Sequence, residues 1–306
     1  MKNSFLNPEF NLVKFPIIFP LIYGFILYSF PQYETYLLFL TILLLAETHF
    51  GATWPFFLNE ANSDLIKKDK INLITIPIII AILSLIGFIF VKKLFLLIFF
   101  AANMFHVTRQ SFGVCKLYSN EKTEINFQET LIYSINILFF IIGYFRFYLP
   151  VVDAEYLLIL NIIVLSIILI SSMLYLYKFK LTNIYPFLTG MIIFYPICFV
   201  SNPVHAIIMG VTMHYTQYLY LTHKIHKGRN KNSPTKNSKY SYLGMIIIYS
   251  VIMASLSLFG KSSKEIFNIL IVIPIIGQML HFYLDSQLWK FSNPHNRENV
   301  LNYLRN

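Results

Sequence analysis

Charge is scarce in this chain. Only 12% of its 306 residues are Asp, Glu, Lys or Arg, and just 14 are acidic. A soluble domain carries roughly twice that share, so a protein folded in water around one core is excluded. Cysteine is nearly absent, and Cys115 and Cys198 form no CxxC. That rules out a disulfide framework or a thiolate metal site as the basis of the fold. The first residues, MKNSFLNPEFNLVKF, lack a short apolar core followed by a small-residue cleavage site, so the first apolar segment is expected to stay on the protein. No internal repeat is visible, which removes the usual support for an inverted-repeat transporter.

Apolar sequence fills the space that charge vacates. Hydrophobic residues make up 57%, aromatics 17%, and the mean hydropathy is +0.62. Ten apolar segments can be read, at about 15–30, 34–50, 72–91, 94–117, 129–148, 156–177, 185–200, 203–222, 240–259 and 265–289. The expected fold is all-α: a polytopic transmembrane helical bundle of about ten spans, with residues 1–306 forming one integral domain in a lipid bilayer. A cell (inner) membrane is the expected location. Net charge is +10, with the densest basic run, HKIHKGRNKNSPTK, starting at His223 in an expected loop at 224–239. Without exposed stacking aromatics between the basic residues, nucleic acid is not an expected partner. The positive-inside rule accounts for the charge better. With the N-terminus inside, 19 of the 24 Lys and Arg fall on the inner side, which predicts that both termini are cytoplasmic.

Polar residues inside these segments carry the functional reading. At 1.5 Å per residue, His49 lies ~22 Å along its segment, His106 ~18 Å, His214 ~16 Å and His281 ~24 Å, each measured from the outer end. In a hydrocarbon core about 30 Å thick, all four fall between the midplane and the cytoplasmic face. Each is on a different even-numbered segment. Helical spacing groups Asn103, His106 and Gln110 on one face, His214, Gln217 and Tyr218 on another, and Gln278, His281 and Asp285 on a third. Glu47 and His49, two apart, diverge on an unbroken helix, but Gly51 and Pro55 suggest that the helix ends there. Glu47 and Asp285 are the two acids placed well inside apolar segments, at the depth of the histidines. An ionisable group in hydrocarbon costs about 2.5 kcal/mol or more unless it is paired or binds an ion.

Four imidazoles with nearby carboxylates suit a divalent metal. Iron (Fe2+) is the first expectation, with zinc or another divalent ion as the alternative. His49, His106, His214 and His281 are the candidate ligands. Glu47 and Asp285 are expected as further ligands or orienting groups, Gln110, Gln217 and Gln278 as hydrogen-bond partners, and Arg109 as an ion-pair or substrate-anion partner. His205, near the outer end of its segment, is expected to be structural. His223 and His226 are expected to be solvated, and His295 to belong to a cytoplasmic cap.

The segments AETHFGATW, HVTRQ, HYTQY and HFYLD, each carrying one of the four histidines, give the chain a resemblance to the histidine-motif integral membrane non-haem iron oxygenases. In architecture it is nearest to the Brp/Blh carotene dioxygenases, polytopic proteins with one iron on four histidines. The likeness is one of ligand count and topology rather than of a signature motif, and the HxxxH and HxxHH boxes of the fatty-acid desaturases are absent. It implies a metal-dependent oxygenase acting on a lipid-soluble small molecule such as an isoprenoid, a carotenoid or an acyl lipid, with an electron donor if the reaction needs one. The competing expectation is a proton- or ion-coupled transporter using the same His, Asp and Glu residues. A third is a haem protein with two axial histidines.

Overall fold

The computed structural model describes residues 7–119, 121–149, 154–179, 181–232, 238–262 and 269–305. The regular elements among them are all helical. The longer helices are α1 (Ile18–Ser29), α2 (Pro31–Phe57), α3 (Ile71–Phe90), α4 (Lys92–Tyr118), α5 (Lys122–Tyr148), α6 (Ala154–Lys178), α7 (Ile184–Cys198), α8 (Pro203–Asn232), α9 (Ser238–Ser262) and α10 (Ile269–Leu288).

Each apolar segment of the sequence lies on one of these helices, but the expectation of about ten spans is corrected. Among the described residues, six helices are long and apolar enough to cross a membrane: α2, α3, α5, α6, α9 and α10. The 12 residues of α1 reach only ~18 Å, well short of a hydrocarbon core about 30 Å thick. Helix α7 stops after nine α-helical residues and continues as a 3-10 turn at Tyr195–Cys198. Helices α4 and α8, of 27 and 30 residues, are long enough. What they lack is apolarity, because they carry the polar residues of the site and the basic run.

The chain groups into two compact units, 1–38 with 104–218 and 39–103 with 219–306. The boundaries fall inside α2, α4 and α8, so three continuous helices contribute to both.

In the first unit the centre is α8, where residues 209–218 are buried without interruption. Gly210 explains how α8 fits: an added Cβ would collide with the Ile193 carbonyl oxygen of α7, so only glycine allows this approach of two backbones. Asn136 of α5 donates to the Ile132 carbonyl at 2.8 Å and to the Gly190 carbonyl at 2.9 Å, tying α5 to α7. Glu124 accepts from Tyr175 of α6 and, at 3.0 Å, from Asn183. The N-terminal turn Phe10–Lys14 is pinned to the core by Gln217, which donates to the Val13 carbonyl at 2.8 Å, and by Thr189, which donates to the Lys14 carbonyl at 2.9 Å.

The second unit is organised by the later half of α2. A π-helical stretch at Ile42–Ala46 precedes Glu47, and the helix then runs unbroken to Phe57 with Pro55 inside it. The expected break near Gly51 is therefore absent. Gly51 serves packing instead, since a Cβ there would lie 3.0 Å from the Tyr249 ring and 3.3 Å from the Ile246 carbonyl of α9. The expected loop at 224–239 is also revised: α8 stays helical through Asn232, and residues 233–237 lie outside the described residues. Arg229 on this extension donates to the Asn299 carbonyl at 3.0 Å and the Phe56 carbonyl at 3.4 Å, with its guanidinium 5.0 Å over the Phe56 ring. Burial pushes its pKa down to about 10. The C-terminal segment closes over this end, with Asn296 donating to the Gln287 carbonyl at 2.7 Å and Lys224 to the Leu304 carbonyl at 3.0 Å.

Candidate metal centre

Each unit brings two histidines together. In the first, His106 of α4 and His214 of α8 stand with ring centroids 5.3 Å apart and ring planes at 84°. Both come from helix faces that the i, i+3, i+4 pattern assigned to the interior, and both are buried, at 6% and 1% exposure. In the second, His49 of α2 and His281 of α10 are 4.3 Å apart at 72°. They too are buried, at 0% and 1%. One ligand atom from each of the four lies within 4.8 Å of every other, so His49, His106, His214 and His281 form a single buried group able to hold a metal ion. The four residues expected as ligands are thus the four that meet.

The donor set fits a metal. Metal–imidazole bonds of about 2.1 Å put the nitrogens of a tetrahedral site roughly 3.4 Å apart. A group that spans at most 4.8 Å is reached from there by side-chain movements of about an ångström. The supports around the ligands fit as well. Thr53 Oγ1, one helical turn beyond His49, lies 2.5 Å from His281 Nδ1, and Asp285 Oδ2 lies 3.7 Å from His281 Nε2. When Nδ1–H donates to the threonine, the tautomer is fixed with its lone pair on Nε2, as a ligating histidine requires. Reading the sequence missed Thr53. The available signal was its position at i+4 from His49, on the same helical face.

Glu47 is buried at 1% exposure. Gln278 donates to its Oε1 at 3.4 Å, while Oε2 is enclosed and has no hydrogen-bond partner among the described residues. Asp285 is 2% exposed. Both acids therefore sit within the protein interior, as expected of intramembrane carboxylates. Gln278, expected as a hydrogen-bond partner in the site, bonds Glu47 rather than one of the four histidines in this contact. Gln217 is committed differently, because its amide nitrogen holds the Val13 carbonyl. Arg109 and Gln110 are half-buried on α4.

The remaining histidines separate from this group. His223 is exposed, and the half-buried His226 stacks on Tyr242 with ring centroids 4.4 Å apart. His295 pairs with Asn62 Oδ1 at 3.0 Å in the C-terminal cap. His205 is 1% exposed and lies between Tyr23 and Glu34. Comparison of the chain with protein families, with curated proteins and with solved structures finds no match.

Proposed function

We propose that this is a membrane metalloenzyme whose four histidines hold one divalent ion, Fe2+ first and zinc second, and that it oxidises a lipid-soluble substrate with dioxygen. The observation carrying the reading is the convergence of four buried imidazoles from four helices within 4.8 Å. A buried set of neutral nitrogen donors is costly to assemble in hydrocarbon unless a cation joins them. Bound there with a coordination position open, iron would supply the activation of dioxygen.

The chain's own residues do the rest. His49, His106, His214 and His281 are the ligands, and Thr53 orients the His281 ring. Asp285 stands close enough to His281 to serve as a further ligand or an orienting carboxylate. Glu47, held at one oxygen by Gln278, offers its other oxygen to the same interior. Arg109, with Gln110 one residue on, is the partner for a negatively charged or polar end of the substrate. The apolar surroundings exclude water from the reaction and admit an isoprenoid, carotenoid or acyl chain dissolved in the bilayer. An electron donor enters only if the reaction is a monooxygenation. The basic end of α8 marks the cytoplasmic side of a cell (inner) membrane, with both termini on that side. On this reading the likeness to the Brp/Blh-type oxygenases is one of ligand number.

The test is elemental analysis of detergent-purified protein loaded anaerobically with Fe2+ or Zn2+, alongside the four single His→Ala variants. About one ion per chain is expected, with His281→Ala and each of its counterparts losing it while staying folded by circular dichroism. Variants that keep the full metal content, or a folded wild type that binds none, contradict the reading. Lipid extracts of producing cells grown under 18O2 then separate the chemistries: a labelled product supports an oxygenase. A Soret band marks haem, and a metal-free, colourless protein that moves protons in liposomes marks a transporter.

A further inference from the structure

At the end of α8 remote from the basic run, His205 lies at the first turn of the helix with both ring nitrogens engaged. Its Nδ1 is 2.6 Å from the Tyr23 hydroxyl of α1, and its Nε2 is 2.8 Å from Glu34 Oε1 at the start of α2. The two partners face opposite edges of the ring, so one ion cannot bind all three; the imidazole bridges them. Exposure grades along the chain of groups, from 3% at Tyr23 and 1% at His205 to 45% for the Glu34 side chain. Around Glu34 the exposed Tyr28, Tyr33 and Tyr36 form the kind of aromatic fringe that sits at a membrane–water interface.

We propose that Glu34, His205 and Tyr23 form a proton-loading site, which takes a proton from the interface and stores it on a buried imidazole. A hydroxyl both donates and accepts, so the same partners satisfy the ring in both charge states. In the unloaded form Nε2–H donates to the Glu34 carboxylate and Nδ1 accepts from the Tyr23 hydroxyl. The loaded form carries one more proton, delivered from the interface by way of Glu34, as an imidazolium: Nε2–H still donates to the carboxylate, Nδ1–H donates to the Tyr23 oxygen, and the hydroxyl turns from donor to acceptor. No electrons move, and no hydrogen bond to the ring is lost. Loading therefore requires no opening of the packing, which separates this arrangement from a latch that acid would spring.

Tyr23 from α1 and Glu34 from α2 are titratable groups in contact with the ring. The amino end of α8, where Asn202 Oδ1 accepts from the Val204 and His205 amides, opposes a positive charge on the ring. The carboxylate of Glu34 offsets that opposition. The inference stands apart from the metal reading, since none of these residues belongs to the four-histidine group.

The test is a pH titration of 15N-histidine-labelled full-length protein in detergent, followed by NMR together with thermal melts. The expected result is a single resonance, absent from His205→Gln, that titrates reversibly between pH 4 and 9 at pH values where the thermal melt shows the protein still folded. In Glu34→Gln its midpoint falls by about one pH unit or more, because the compensating carboxylate is gone. If His205→Gln does not fold, Glu34→Gln and Tyr23→Phe identify the resonance by its displacement in both. A resonance that never titrates, one that titrates in step with loss of structure, or one that Glu34→Gln leaves in place overturns the proposal.

Discussion

Thr53 and Glu47 show how much of the centre rests on single side chains. Thr53 Oγ1 lies 2.5 Å from His281 Nδ1, where it can accept from Nδ1–H and so leave the ring's lone pair on Nε2. Replacing it with valine keeps the volume and removes the acceptor, so affinity for the loaded ion should fall 10- to 100-fold with the fold intact. Competition against a calibrated chelator measures this, and unchanged affinity contradicts the role. At this scale the convergence of the four histidines was legible, because helical depth and facing depend only on residue count. Thr53 was not, since its importance lies in reaching a ring 228 positions later in the chain. The commitment of Gln217 to Val13 was hidden for the same reason: a backbone carbonyl 204 residues away carries no sequence signal.

Helix existence was legible and helix ends were not. Gly51 and Pro55 read as terminators, yet tertiary packing overrides them, because α9 comes against the glycine and most side chains of the stretch are buried. Gly210 is the sharper test of close packing. Gly210→Ala sets a methyl group against the Ile193 carbonyl, and overpacking of this kind costs about 1–3 kcal/mol. The variant should melt below the wild type in the same detergent, and an equal melting temperature refutes the contact.

The C-terminal cap depends on pH through His295. Burial, reinforced by the neighbouring Arg229 guanidinium, lowers the pKa of this imidazole, and the ring pairs with Asn62. The unfolded chain thus binds a proton near pH 6.5 that the folded cap takes up only at lower pH. The cap's stability is fully present above that value and declines as the pH falls through the folded pKa. Hydrogen exchange at residues 294–304 should accelerate as the pH drops below about 6.5, beyond its intrinsic pH dependence, and His295→Asn should remove that excess. A wild type without the excess contradicts the assignment.

For the whole molecule, hydropathy found the periphery more readily than the centre. The membrane-length windows of α3 and α6 are the most apolar of the six, and only 17% of each is buried, so many of their Ile and Leu side chains lie on the outside of the protein. Helix α8, buried from 209 to 218, is shielded by its neighbours and can carry histidine, threonine and glutamine there. A helix sheltered from lipid need not be oily. That is why α4 and α8 fail an apolarity test while holding half of the histidine group. Membrane character was legible from composition because hydrocarbon penalises charge everywhere along a lipid-facing helix. The span count was not, because length and polarity had to be weighed against neighbours that the sequence does not name.

X-ray absorption fine structure on the metal-loaded wild-type protein addresses the central claim most directly. The account predicts one ion per chain with a first shell of about four imidazole nitrogens near 2.0–2.2 Å, reduced by one nitrogen or lost altogether in His214→Ala. A first shell made mainly of water oxygens, or one that the His214 substitution leaves unchanged, would contradict it.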